Sequence, residues 1–164
     1  MNASVEARKL LHGGGFEVPI DLQAVCEYLE LRLLIGDLDT LDGLFLAKQG
    51  GGMGIIVINE NRCRARKRFT IAHEIGHAVL NHFSISFSDG QSLNGNSWQE
   101  VQANAFAAEL LMPRDFLLTN GPMPPEDIKK HCIVSIDAAK FRAINLGWTP
   151  AEESKRQVYG GRGL

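Results

Sequence analysis

The chain has 164 residues, 45% of them hydrophobic and 22% charged, enough for one domain with a buried core and too apolar for a disordered chain. Seventeen Lys and Arg against nineteen Asp and Glu leave a formal net charge of −2, which excludes a surface given over wholly to nucleic acid. No apolar run approaches the ~20 residues of a membrane span, and Met1-Asn-Ala-Ser-Val-Glu-Ala-Arg lacks the basic-then-apolar layout of a secretory signal, so the expected location is the cytoplasm. Cys26, Cys63 and Cys132 are odd in number, far apart and without a Cys-x-x-Cys pair. They read as reduced, mostly buried thiols rather than as disulfides or a cysteine metal site.

Residues 4–12 and 20–30 have helical spacing, the second opened by Pro19 and Asp21 with Leu22, Val25, Cys26 and Leu29 on one side. Three β-like runs follow, at 31–35, 43–47 and 53–59. Lys48-Gln-Gly-Gly-Gly reads as a hairpin loop between the last two, and the runs predict a small antiparallel sheet. The polar stretch 84–97, with Asp89-Gly90 and Asn94-Gly95, reads as an exposed connection. Trp98 to Met112 is helical again and stopped by Pro113. Pro122 to Pro125 punctuates before two short helices at 126–131 and 135–146. The whole reads as an α+β domain over 1–156, with a Gly-rich tail at 157–164.

Between the sheet and the polar stretch lies Phe69-Thr-Ile-Ala-His-Glu-Ile-Gly-His-Ala-Val-Leu. Phe69, Ala72, Gly76, Val79, Leu80 and Phe83 share a sector of roughly 100°, the stripe of a core-facing helix. His73 and His77, four apart, differ by about 40° in azimuth at the edge of that stripe, so both imidazoles can face one ion. Glu74 lies about 100° round, expected on the side nearer water. Gly76 sits mid-stripe, where a helix prefers Ala by about 1 kcal/mol, which points to close approach by another element.

A catalytic zinc takes three protein ligands and leaves a fourth position open. The longer pattern with a glycine and a third histidine would need them at positions 80 and 83, where this chain has Leu80 and Phe83. His82, about 180° round the helix from His73, reads as a surface histidine. Glu100 on the following helix is the better candidate. It shares a face with Asn104, Ala107 and Leu111, on a helix thinned by Ala103, Ala105, Ala107 and Ala108. Asn104, one turn on, is placed to orient a liganding imidazole. Glu109 is the rival carboxylate, but it lies about 180° from Glu100 on the same helix. Glu100 as an ordinary acid at a helix N-terminus is the competing reading.

Arg66-Lys-Arg-Phe-Thr-Ile-Ala-His-Glu-Ile-Gly-His-Ala-Val-Leu-Asn-His and Glu100-Val-Gln-Ala-Asn-Ala-Phe-Ala-Ala-Glu-Leu-Leu-Met-Pro113 together resemble the ImmA/IrrE family of zinc metallopeptidases. Weaker similarity reaches Ile55-Ile-Val-Ile-Asn59 and Ile133-Val-Ser-Ile-Asp-Ala-Ala. The resemblance implies a zincin-like α+β fold with the His-Glu-x-x-His motif on a central helix. It implies metal ligands at His73, His77 and Glu100, the third on the following helix, and Glu74 as the catalytic acid/base. It also implies a protein substrate, a helix-turn-helix (XRE-like) repressor or antitoxin encoded nearby, with no direct nucleic-acid or membrane partner. Gln102 stands where many relatives carry a second acid, and Lys140-Phe-Arg where an Arg-Leu pair is commoner.

The chemistry so implied is peptide-bond hydrolysis by an activated water, with Glu74 taking the water's proton and returning it to the leaving amine. Two histidines and one carboxylate suit Zn2+ best in a hydrolase, with Mn2+ or Fe2+ as alternatives. His131, Tyr28, Tyr159 and the arginines all remain open as oxyanion donors, and the 55–59 strand is equally open as a half-buried strand or as an edge for an extended substrate. Two competing readings stand. The domain could bind and displace a repressor without hydrolysis. Alternatively, Arg62-Cys-Arg-Ala-Arg-Lys-Arg could contact DNA, although cations at a helix start more often pair with acids or stay solvated.

Overall fold

Asn2 and Asp21 start the first two helices by the same device. Each side-chain oxygen accepts from two backbone N–H groups in the first turn of α1 (Ala3–Gly14) and α2 (Leu22–Tyr28), donors a helix cannot satisfy for itself. The computed structural model describes residues 2–47, 54–82 and 98–148. After α2 come β1 (Arg32–Gly36), β2 (Gly43–Leu46), β3 (Ile55–Asn59), α3 (Arg64–Val79), α4 (Trp98–Leu111), α5 (Arg114–Asn120), α6 (Pro125–Cys132) and α7 (Ile136–Asn145). The expected α+β class holds. The hairpin loop at 48–52, the polar connection at 84–97 and the tail at 157–164 lie outside the described residues.

The sheet differs from the antiparallel one expected. Its order is β1-β3-β2, with β1 parallel and β2 antiparallel to β3. The hairpin signal identified only the β2–β3 pair. What β1 does is governed by the composition of β3. Ile55-Ile-Val-Ile is apolar on both faces, the composition of an inner strand; Ile56 and Ile58 on one face are fully buried, and Ile55 and Val57 on the other are half-buried. β3 is therefore the central strand. Paired on both edges, it offers no free backbone to a substrate, so of the two readings left open for 55–59 the half-buried strand holds and the substrate edge falls.

α3 packs against β2 and β3 on one side and α4 on another, and α4 also packs on α1. Ala72, Ile75, Phe106, Ala107, Leu110 and Leu111 are fully buried around this contact. The helix at 114–120 was not expected. Pro113 ends α4 and at the same time sits at the N-cap of α5, because a fixed φ and a missing N–H suit a helix start as well as a stop. Cys26 and Cys132 are buried free thiols, pushed up to about 11 chiefly by burial. Cys63 is exposed, unlike the burial expected of it.

Candidate metal centre

The helix that carries both histidines starts against its own dipole. Its N-cap, Cys63, makes no side-chain cap bond, and its first turn has arginines and no acid. Asp42, just before β2, supplies the missing carboxylate. It accepts from Arg62 Nε at 2.6 Å, from Arg66 Nε at 2.8 Å and from a second Arg66 nitrogen. Burial alone would raise the Asp42 pKa, but the bonds from Arg66 and Arg62 outweigh it and hold the carboxyl below its ordinary range. Buried Asn59 secures the same loop, donating to Asp39 O at 3.0 Å and Leu41 O at 2.7 Å. Arg68 donates to Ile20 O at 2.9 Å. Three cations of the basic stretch thus fasten α3 to its surroundings.

Gly76 sets the distance between α3 and α4. A Cβ there would lie 3.2 Å from Phe106 Cδ1 and 3.3 Å from both Ala103 Cα and Ala103 O. The close approach read from the sequence is therefore present, and it brings Glu100 to the histidines. His73 Nε2 is 3.1 Å from Glu100 Oε2, His77 Nε2 is 3.2 Å from Glu100 Oε1, and the two Nε2 atoms are 3.0 Å apart. Asn104 Oδ1 accepts from His73 Nδ1 at 2.9 Å, which leaves the Nε2 lone pair of His73 turned inward. One potential ligand atom from each residue lies within 4.8 Å of the other two, and the 3.0 Å between the imidazole nitrogens and the 3.1 and 3.2 Å from each to its own Glu100 oxygen are near the about 3.3 Å between ligands on a tetrahedral ion bonded at about 2.0–2.1 Å. The donor set fits a divalent cation.

Electrostatics separates the roles of the neighbours. Glu74 is 9% exposed, buried rather than water-facing, because α3 is covered by the sheet as well as by α4. Burial first, and then the charge of Glu100, raise its carboxyl to about 7. Burial first, then His73 and His82, push His77 down to about 4, so its imidazole is neutral at neutral pH. Glu109, the rival carboxylate, points away from the triad. It is 2% exposed, pairs with Arg142 at 2.7 Å and accepts from Arg114 N at 3.0 Å.

His82 corrects the sequence reading most directly. It is not on the surface but 4% exposed, with Nδ1 3.3 Å from His77 Nδ1 and Nε2 3.3 Å from Gln102 Oε1. The azimuth argument failed because the helix has already ended. Asn81 takes a positive φ of 54°, His82 N donates to His77 O and Asn81 N to Ala78 O. This is the pattern of a Schellman cap, which folds the chain back over the last turn. Asn81 was the available signal. Tyr28 rests against Phe16 and exposed His131 against Phe116, so neither ring contact links them to the triad, and Tyr159 lies outside the described residues.

A His-His-Glu triad between two closely packed helices, the first of them against a small sheet, is the construction of a metallopeptidase-like domain. The family model described as Peptidase M78, IrrE N-terminal-like domain, matches residues 26–143. The chain belongs to that family. It is 42% identical over 59 residues to the "Uncharacterized immunity region protein 2" of Bacillus phage phi105, a match spanning 35% of this chain and 37% of that protein. Its fold is similar to that of a solved Mycobacterium tuberculosis transcriptional regulator, with a TM-score of 0.62 and 15% identity over 85% of this chain. The chain corresponds to 45% of that regulator. Among the described residues no helix is long and apolar enough to cross a membrane.

Proposed function

We propose that the protein is a zinc-dependent endopeptidase in which His73, His77 and Glu100 hold the ion and Glu74 is the general base. The observation that carries this reading is the convergence of three ligand atoms within 4.8 Å beside a buried carboxyl raised to about 7. A zinc ion so held supplies a Lewis acid for the attacking water and the scissile carbonyl. The remaining work falls to the chain. Asn104 keeps His73 in the tautomer whose Nε2 faces inward. Glu74, buried beside the three ligands, takes the proton from water and delivers it to the leaving amine.

The proposed substrate is a helix-turn-helix repressor or antitoxin encoded nearby, which places the enzyme in the cytoplasm. A relative whose name assigns it to a phage immunity region supports regulatory proteolysis. A DNA-contact role for 62–68 is disfavoured because Arg62, Arg66 and Arg68 are engaged within the fold. The test combines metal analysis with incubation against helix-turn-helix regulators from neighbouring genes, comparing wild type with Glu74→Gln. One bound zinc and repressor fragments with wild type alone are expected. Repressor release by Glu74→Gln without fragments would replace hydrolysis by a non-hydrolytic displacement.

A further inference from the structure

His82 is a buried imidazole, 4% exposed, that the proposed chemistry does not use, and its two ring nitrogens are both engaged. Nδ1 meets His77 Nδ1 at 3.3 Å and Nε2 meets Gln102 Oε1 at 3.3 Å. The amide oxygen can only accept, so His82 Nε2 carries the proton and donates to Gln102. His82 Nδ1 is then a bare lone pair, and it can only accept. The proton between the two Nδ1 atoms accordingly belongs to His77, whose Nε2 is left as the lone pair directed towards His73 and Glu100. The opposite polarity, with His82 donating to His77, would put the His77 proton on Nε2 and block it as a ligand.

We propose that Gln102 and His82 form a relay that fixes the tautomer and ring direction of His77, a positioning pair for the metal centre. It does for His77 what Asn104 does for His73, so both liganding imidazoles are oriented from α4, one directly and one through the cap that follows α3. The relay rests on the metal-site reading, and groups in this outer position typically carry 10–100-fold in metal affinity.

Long-range 1H–15N spectra of the imidazoles in the zinc-loaded protein read the tautomers directly. His82 protonated on Nε2 and His77 on Nδ1 are expected. Zinc affinity, measured by competition with a chromophoric chelator at fixed pH, should fall about 10–100-fold in His82→Phe, which keeps a ring in place. His82→Asn, whose side-chain oxygen can occupy the Nδ1 position, should recover most of the loss. Gln102→Met should weaken binding several-fold, and it decides the matter with the spectra if His82→Phe does not fold. His82 protonated on Nδ1, or zinc binding by His82→Phe or Gln102→Met within twofold of wild type, overturns the relay while leaving the metal site intact. A wild type that binds no zinc overturns the metal site and the relay with it.

Discussion

Glu74 is held in a place that suits its neutral form, so replacing it by glutamine has a calculable effect on the metal-free protein. Its pKa is raised from 4.5 to about 7, chiefly by burial and then by Glu100. Below pH 4.5 the carboxyl is protonated in folded and unfolded chains alike, and it contributes no pH dependence. Between 4.5 and 7 the folded state binds more protons than the unfolded state, so stability falls as pH rises. Above about 7 the full penalty is present, roughly 2.5 × 1.36, or about 3 kcal/mol. Glu74→Gln removes it. His77, pushed down to about 4, acts in the opposite sense, since the unfolded state then binds more protons between 4 and 6.5 and stability rises with pH. The two effects largely offset one another in wild type. In the variant the histidine acts alone, so the metal-free Glu74→Gln protein should gain stability from pH 4 to 6.5 while wild type stays nearly flat. At pH 8 the variant should exceed wild type by about 3 kcal/mol, or a Tm higher by about 6–12 °C. Urea denaturation of chelator-treated protein across pH 4–8 measures this. Any difference from the amide's own hydrogen bonds is a constant offset, so the slope is the readout. A variant-minus-wild-type difference that does not change between pH 4.5 and 8 refutes the reasoning.

Three further outcomes follow from the packing. Gly76→Leu adds carbons where even a Cβ lies 3.2 Å from Phe106 and 3.3 Å from the Ala103 backbone. It should cost about 1–3 kcal/mol in chemical denaturation and lower zinc affinity more than tenfold by moving Glu100 from the histidines. Glu109→Gln leaves the Arg142 charge without its partner at a site where Arg142 Nε is already buried and unbonded. It should cost about 3–5 kcal/mol with zinc affinity unchanged, whereas a loss of zinc binding in the folded variant would restore Glu109 as a ligand. Asp42→Asn weakens the clamp on the start of α3. Because Arg66 is 57% exposed and Asp42 28% exposed, the cost should be only about 1 kcal/mol, and it should shrink in high salt.

What was legible in the sequence is what a helix repeats along itself. His73, His77 and Glu74 are related by positions on one helix, Glu100 and Asn104 by one turn of another, and both relations survive in the fold as 3.0–3.2 Å contacts and a 2.9 Å hydrogen bond. Gly76 even announced where the two helices meet. The errors occur where a regular element stops. The helical wheel sent His82 to the surface because it was continued through Asn81, whose left-handed conformation had ended the helix. Pro113 was read as an end when it is also a beginning. The parallel β1–β3 pair and the Asp42 clamp join segments some twenty residues apart, and no local period records such partners.

The same contrast bears on how the centre is built. An i,i+4 histidine pair makes two ligands available but does not aim them, since each imidazole has two tautomers and a rotatable ring. Asn104 is bonded to His73 at 2.9 Å from within a regular helix. His77 has only the longer contact to His82, 3.3 Å away across a helix cap. If orientation limits metal binding, the two histidines should not be equally robust. Removing Asn104 deletes one direct acceptor, whereas straightening the cap with Asn81→Ala acts on the backbone that returns His82 to His77. A non-glycine residue without asparagine's tolerance for positive φ costs about 1 kcal/mol or more there. The expected result is that Asn81→Ala, a substitution at an exposed position with no contact to the triad, lowers both stability and zinc affinity. Asn61→Ala, in the exposed turn before α3 and without a positive φ, should leave zinc affinity unchanged. Equal zinc affinity in Asn81→Ala and wild type would show that His77 is aimed by its own helix and not by the cap.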